Sequence, residues 1–174
     1  MDKKKILNRR FSVAPMMDCT DRHFRYLARL ISKQTLLYTE MITSAALVHG
    51  DREYLLGFDV SEHPLALQLG GSKIDEMTEA AELAETYGFD EININCGCPS
   101  DRVQSGRFGA CLMLEPELVA ENVKALQKAC NLPITIKSRI GVDENDSYEE
   151  LVHFVESNAV AGCKTFIIHA RKAW

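Results

Sequence analysis

Short apolar runs alternate along this chain with longer stretches whose apolar residues recur at helical spacing. Residues 11–16, 36–41, 65–69, 90–95, 134–137 and 165–169 have the compactness or two-residue alternation of buried strands. Residues 21–32, 43–56, 74–87, 116–130 and 147–161 read as helices. In the third of these, Met77, Ala80, Ala81, Ala84 and Tyr87 form one apolar face. The same segment opens with Ser72, Asp75 and Glu76, suited to a helix N-terminus, and closes at Gly88. Pro116 suits the first turn of the next helix.

Alternation this regular implies parallel βαβ units with right-handed crossovers. Doubly wound sheets and (β/α)8 barrels share it. A dinucleotide-binding sheet carries G-x-G-x-x-G after its first strand, whereas the first strand here ends Ala14-Pro15-Met16-Met17-Asp18, without glycine. The expected fold is therefore α/β, a (β/α)8 TIM barrel, with its site at the C-terminal ends of the strands. The pattern supplies six strands where the barrel needs eight, and an open arc leaves an uncovered edge. The expectation is a barrel truncated after about the sixth strand, with residues 1–8 as a flexible tail and 9–174 as a partial barrel domain.

The strand ends collect polar and sulfur-bearing residues. They are Met16, Met17, Glu40, Met41, Gln68, Asn95, Cys98, Lys137, Arg139, His169 and Arg171. Taken singly, each has a packing explanation: Gln68 satisfying a backbone group, His169 as a core histidine, Lys137 paired with Glu40, the methionines as filler. Convergence from successive strands is harder to explain as packing, because core strands favour Val, Ile and Leu and an unpaired buried lysine is costly. A thiol held between Gly97 and Pro99, followed by a mobile glycine-bearing loop, is a plausible centre for chemistry. A dry pocket with Gln, Lys and His donors suits a flavin: glutamine bonds the ring edge, a lysine stabilises the negative charge of the reduced ring, and backbone amides around Pro15, Met16 and Met17 reach the other polar edge.

Composition narrows the setting. The chain has 174 residues, 46% hydrophobic and 26% charged, as an ordinary globular domain does. The basic N-terminus lacks the apolar core of a secretory signal, and no run is long enough for a membrane span. Six cysteines in that context are expected as free thiols in the cytoplasm. Cys96-x-Cys98 with a distant His169 does not have the spacing of a structural zinc site, so no metal is expected. The net charge of −5 argues against a surface that grips nucleic acid throughout, yet allows a local basic rim from Arg9 and Arg10, Lys137 and Arg139, and Arg171 and Lys172.

Five segments together carry a specific resemblance: Ala14-Pro15-Met16-Met17-Asp18, Gln68-Leu69-Gly70-Gly71, the run 95–111, Lys137-Ser138-Arg139-Ile140-Gly141 and His169-Ala170-Arg171. Over residues 9–174 the chain resembles the tRNA-dihydrouridine synthases. The cysteine loop, Asp21-Arg22-His23-Phe24-Arg25 and the end His169-Ala170-Arg171-Lys172-Ala173-Trp174 are most similar to the bacterial A-type branch. The resemblance implies an FMN-binding barrel followed by a small helical tRNA-binding domain. It implies NADPH as reductant, hydride transfer to C6 of a D-loop uridine (positions 20 and 20a) and protonation of C5 by a cysteine. That cysteine maps to Cys98, and a thiol is mostly protonated at neutral pH, as an acid must be. Gln68, Lys137 and His169, with Pro15, Met16 and Met17, map to the flavin. Asn95 and Arg171 map beside the uracil, and Arg139 and Lys172 to tRNA phosphate. The family's phosphate-binding turns after strands seven and eight are not in this sequence, which implies weakened FMN binding by this chain alone. A monomer is expected. The competing readings are a free-pyrimidine or dihydroorotate-type flavin dehydrogenase, which turns over free bases, and a non-catalytic RNA-binding remnant, which lacks flavin absorbance.

Overall fold

A computed structural model describes residues 7–174. Its sheet has five parallel strands in the order β1 Leu37–Thr43, β2 Leu65–Gly70, β3 Glu91–Cys96, β4 Ile134–Ser138 and β5 Phe166–Ile168. The helices are α1 Arg22–Ile31, α2 Ser44–His49, α3 Arg52–Leu56, α4 Ile74–Tyr87, α5 Asp101–Ser105, α6 Pro116–Ala129 and α7 Tyr148–Val160. Sequential strands lie side by side and helices separate them, which is the arrangement of a (β/α) barrel sector. Residues 1–6, most of the expected tail, lie outside the described residues, whereas Leu7 is buried. Among the described residues no helix is long and apolar enough to cross a membrane.

The two faces of the sheet differ sharply. Leu65, Leu67, Leu69, Ile92, Ile94, Ile134 and Ile136 pack outward against Met77, Ala80, Ala84, Val119, Val123, Leu126 and Phe154 of α4, α6 and α7. This burial drives the fold. The intervening positions are polar. Gln68 on β2 pairs in register with Asn93 on β3, and Asn93 with Thr135 on β4. One step up the strands, Asn95 lies beside Lys137. All but Lys137 are buried, so the interior is a set of polar layers.

Helix boundaries follow local chemistry. Asp21 caps α1 by accepting from the Phe24 amide at 2.8 Å. Gly88 ends α4 at φ 88°, a left-handed cap that favours glycine. Helix α1 buries Arg25 and Arg29: Arg25 meets Glu62 at 2.6 Å, and Arg29 donates to the Thr35 and Glu62 carbonyls, each at 2.8 Å.

Four expectations need correction. Residues 11–16 form no strand; a single parallel bridge joins Ser12 to Leu36. Pro15 has no N–H to extend the pairing, and the Met16 amide turns instead to Thr20 Oγ1 at 3.0 Å. Residues 43–56 form two short helices, because the chain breaks at Gly50 and Asp51 caps α3 through the Tyr54 amide. The loop after Cys98 is largely helical, with α5 and a 3-10 turn over Gly109–Leu114. Arg9 joins no rim beside the strand-end site: it is ion-paired to buried Glu91 at the N-terminal end of β3.

A β-bulge shifts the register of β1 between Tyr38 and Met41. There Thr39 Oγ1 accepts the Gln68 amide at 3.0 Å, and Met41 comes opposite Gln68. Leu67→Ala, which empties a fully buried outward position, is expected to lower unfolding free energy by about 2–5 kcal/mol in denaturant titration.

Candidate active site

At the C-terminal ends of the strands lies a cavity of about 430 Å³. It is lined by Ala14, Pro15, Met16, Met17, Met41 and Gln68 from the first three segments, Asn95, Gly97, Cys98 and Pro99 from the end of β3, and Lys137, Arg139 and His169 from β4 and β5. Of the residues expected from sequence, Pro15, Met16, Met17, Gln68, Asn95, Cys98, Lys137, Arg139 and His169 are therefore brought together. Arg171 and Lys172 are not among its walls. A larger groove of about 650 Å³ beside α1 and β1 shares Met17 and Met41 but contains none of the converging donors.

Asn95 organises the turn that carries the thiol. Its Oδ1 accepts the Gly97 amide at 3.0 Å and the Cys98 amide at 2.9 Å, while its Nδ2 donates to Gln68 Oε1 at 2.9 Å. The Cys98 carbonyl accepts from the Ala110 amide at 3.0 Å, closing the loop against the 3-10 turn. This close approach needs glycine at 109: φ is 71°, and a Cβ there would lie 2.7 Å from the Cys98 oxygen. Arg139 ties the same turn to the chain after β5, donating to the Gly97 carbonyl at 3.0 Å and the Lys172 carbonyl at 3.3 Å. The Cys98 thiol is half-buried and donates to Ser100 Oγ at 3.6 Å. Cys96, two residues earlier, points outward into the apolar core, where burial pushes its thiol far up.

The cavity wall is cationic. Burial pulls the Lys137 ammonium below its ordinary value, the Arg139 guanidinium pulls it further, and Cys98 opposes both. His169 is also held low, by partial desolvation first, then by Arg139, Lys137 and Arg171. Among the described residues Lys137 has no carboxylate partner, and the pairing with Glu40 is not formed. Arg171 is exposed near this cluster, whereas Lys172 donates to Asp146 at 2.9 Å. Among the described residues no three His, Cys, Asp or Glu side chains gather as metal ligands do.

Glu91, Asn93 and Thr135, which are not among the residues expected from sequence, support the cavity from below. The signal was present: Glu91-Ile92-Asn93-Ile94-Asn95-Cys96 places a hydrogen-bonding side chain at every second position of a buried strand.

The model of the family described as "Dihydrouridine synthase (Dus)" matches residues 12–173. A tRNA-dihydrouridine(20/20a) synthase of Synechocystis is 62% identical over 163 residues, covering 94% of this chain and 49% of the relative. The protein of that name from Shewanella oneidensis is 59% identical over 174 residues, with 100% and 52% covered. That from Pseudomonas syringae pv. tomato is 59% identical over 167 residues, with 96% and 50% covered. The chain thus spans about half the length of the curated relatives it matches.

Three outcomes follow from this geometry. His169 should titrate below the ordinary histidine value near 6.5. In Lys137→Met its pKa should move upward, because a like charge is removed; proton NMR titration of the ring reads both. Gly109→Ala should destabilise the protein by more than about 1 kcal/mol and loosen the Cys98 turn, seen as faster alkylation of Cys98.

Proposed function

The chain belongs to the dihydrouridine synthase family, and from that membership we propose that the protein reduces uridine in tRNA to 5,6-dihydrouridine at the cavity formed by β2 to β5. The single observation that carries this reading is the convergence, in one cavity at the strand ends, of a thiol, two buried amides and an ammonium that has no counter-ion among the described residues. The relatives are named for tRNA and for positions 20 and 20a, which supports tRNA as the substrate here, with D-loop uridines as the proposed target.

The residues present fit a flavin. Lys137 is a half-buried ammonium without a counter-ion among the described residues, in a wall shared with Arg139 and His169, and such a wall favours an electron-rich ring that gains negative charge. Gln68 is 1% exposed and its amide is fixed by neighbours on both sides, leaving one N–H and one lone pair for the ring edge. Met16 and Met17, about half exposed at the cavity lip, offer polarisable contact. Pro15, Met16, Met17, Gln68, Lys137 and His169 would hold FMN. When bound, FMN supplies hydride equivalents drawn from NADPH for C6 of the uracil.

The chain's own groups do the rest. The target base must leave its stack to enter the cavity. Asn95, in the cavity wall, orients it through an N–H to a carbonyl oxygen, and Arg171, exposed outside that wall, meets it from the solvent side. Cys98 carries its proton on Sγ and passes it to C5, completing addition of one hydride and one proton across the 5,6 double bond. Lys137 offsets charge on the ring side. Arg139 holds the Gly97 carbonyl and so keeps the thiol aimed, and its positive charge, with that of Lys172, favours nearby phosphate.

Cys98→Ala in the full-length protein is expected to leave NADPH-dependent flavin reduction intact and to lower dihydrouridine yield by at least about 100-fold. Normal yield would remove Cys98 as the acid. Turnover of free uracil or dihydroorotate by the wild type, without tRNA, would favour a free-pyrimidine dehydrogenase instead. Lys137→Met should weaken FMN binding or slow its reduction, measured by flavin fluorescence and stopped-flow absorbance.

A further inference from the structure

One buried ionisable group takes no part in the chemistry above. Glu91 is 0% exposed, at the end of the sheet opposite the cavity. Among the described residues, every polar contact it makes is with a donor. Oε1 accepts from Tyr38 Oη at 2.9 Å and Thr135 Oγ1 at 2.7 Å, and Oε2 accepts from Arg9 Nε at 3.0 Å and from Arg9 Nη2.

The consequence passes from strand to strand. Thr135 gives its hydroxyl proton to Glu91, with the Ile92 carbonyl sharing it at 3.3 Å, so its oxygen receives from Asn93 Nδ2 at 2.9 Å. Asn93 must then present Oδ1 to Gln68 Nε2, at 2.8 Å. Gln68 in turn presents Oε1 to Asn95 Nδ2, at 2.9 Å. That leaves Asn95 Oδ1 for the Gly97 and Cys98 amides, which can only donate. A primary amide fits its site in either of two orientations unless its neighbours choose. Here an acceptor-only carboxylate at one end and donor-only amides at the other choose the same one. All four linking side chains are buried.

We propose that Glu91 is a remote positioning residue: through Thr135, Asn93 and Gln68 it sets the orientation of the Asn95 amide, and thereby holds the Cys98 turn and leaves Asn95 only an N–H to offer the cavity. A ligand group at that point must be an acceptor such as a carbonyl oxygen. An amino group there would meet a donor and is disfavoured. This selectivity rests on the uridine-reduction reading, whereas the positioning of the turn stands on geometry alone.

The test uses Thr135→Val, which keeps the side-chain shape and removes the hydroxyl, and Thr135→Ser, which restores it, both in the full-length flavoprotein. Hydrogen–deuterium exchange at the Gly97 and Cys98 amides is expected to be roughly tenfold faster in the valine variant and near wild type in the serine variant. The valine variant's kcat/KM for dihydrouridine formation should fall with it. Unchanged exchange at both amides in folded Thr135→Val would overturn the proposal, as would equal loss in Thr135→Ser. Should Thr135→Val not fold, the wild type decides. Slowly exchanging side-chain amide protons of Gln68, Asn93 and Asn95 in NMR spectra support the chain of bonds, and fast exchange overturns it. Exchange is read without substrate, so a wild type that forms no dihydrouridine counts against the uridine reading alone.

Discussion

A polar side chain turned into the closed face of a parallel sheet has no water to fall back on, so it must be satisfied by its neighbours. In this protein that constraint is met by one continuous run of hydrogen bonds from Glu91 at the floor to Cys98 at the rim. The register of β2, β3 and β4 places Gln68, Asn93 and Thr135 side by side, so each bond runs between adjacent strands. Had one strand slipped by a residue, its polar groups would face the helices and its isoleucines the interior. The outer apolar face and the inner polar face therefore enforce the same register, one by burial and the other by pairing.

The thiol-bearing turn inherits its order from that arrangement. Three elements restrain it independently: Asn95 through two backbone amides, Arg139 through the Gly97 carbonyl, and the 3-10 turn through the bond between Ala110 and the Cys98 carbonyl. The Cys98 side chain is thus mounted on a backbone with little freedom, as the proposed proton transfer requires. Lys137, opposite it, has no carboxylate partner among the described residues. Lys137 and His169 are each disfavoured in their charged forms by burial and by their neighbours. An electron-rich ligand would relieve that repulsion.

The segments flanking the sheet show how far local sequence is overruled. Arg25 and Arg29 lie on the buried face of α1 because backbone carbonyls and Glu62 await them there, while Leu27, Leu30 and Ile31 face outward. Residues 11–16 have a strand's apolar pattern, yet Pro15 and the Thr20 hydroxyl turn the chain toward the cavity after a single bridge.

What the residues determined by themselves was considerable. Short apolar runs located β1 to β5, the face Met77, Ala80, Ala81 and Ala84 of α4 proved to be its buried one, and most of the expected site residues meet in one cavity. These features are local, set by side-chain period and by the tendency of barrel sites to gather at strand ends. Other features were decided only in three dimensions: the partner of Arg9, and above all the roles of Glu91, Asn93 and Thr135. The reason is physical. Their partners lie 25 to 82 residues away along the chain, and whether an asparagine is a ligand contact or a strut depends on which groups the fold brings within bonding distance.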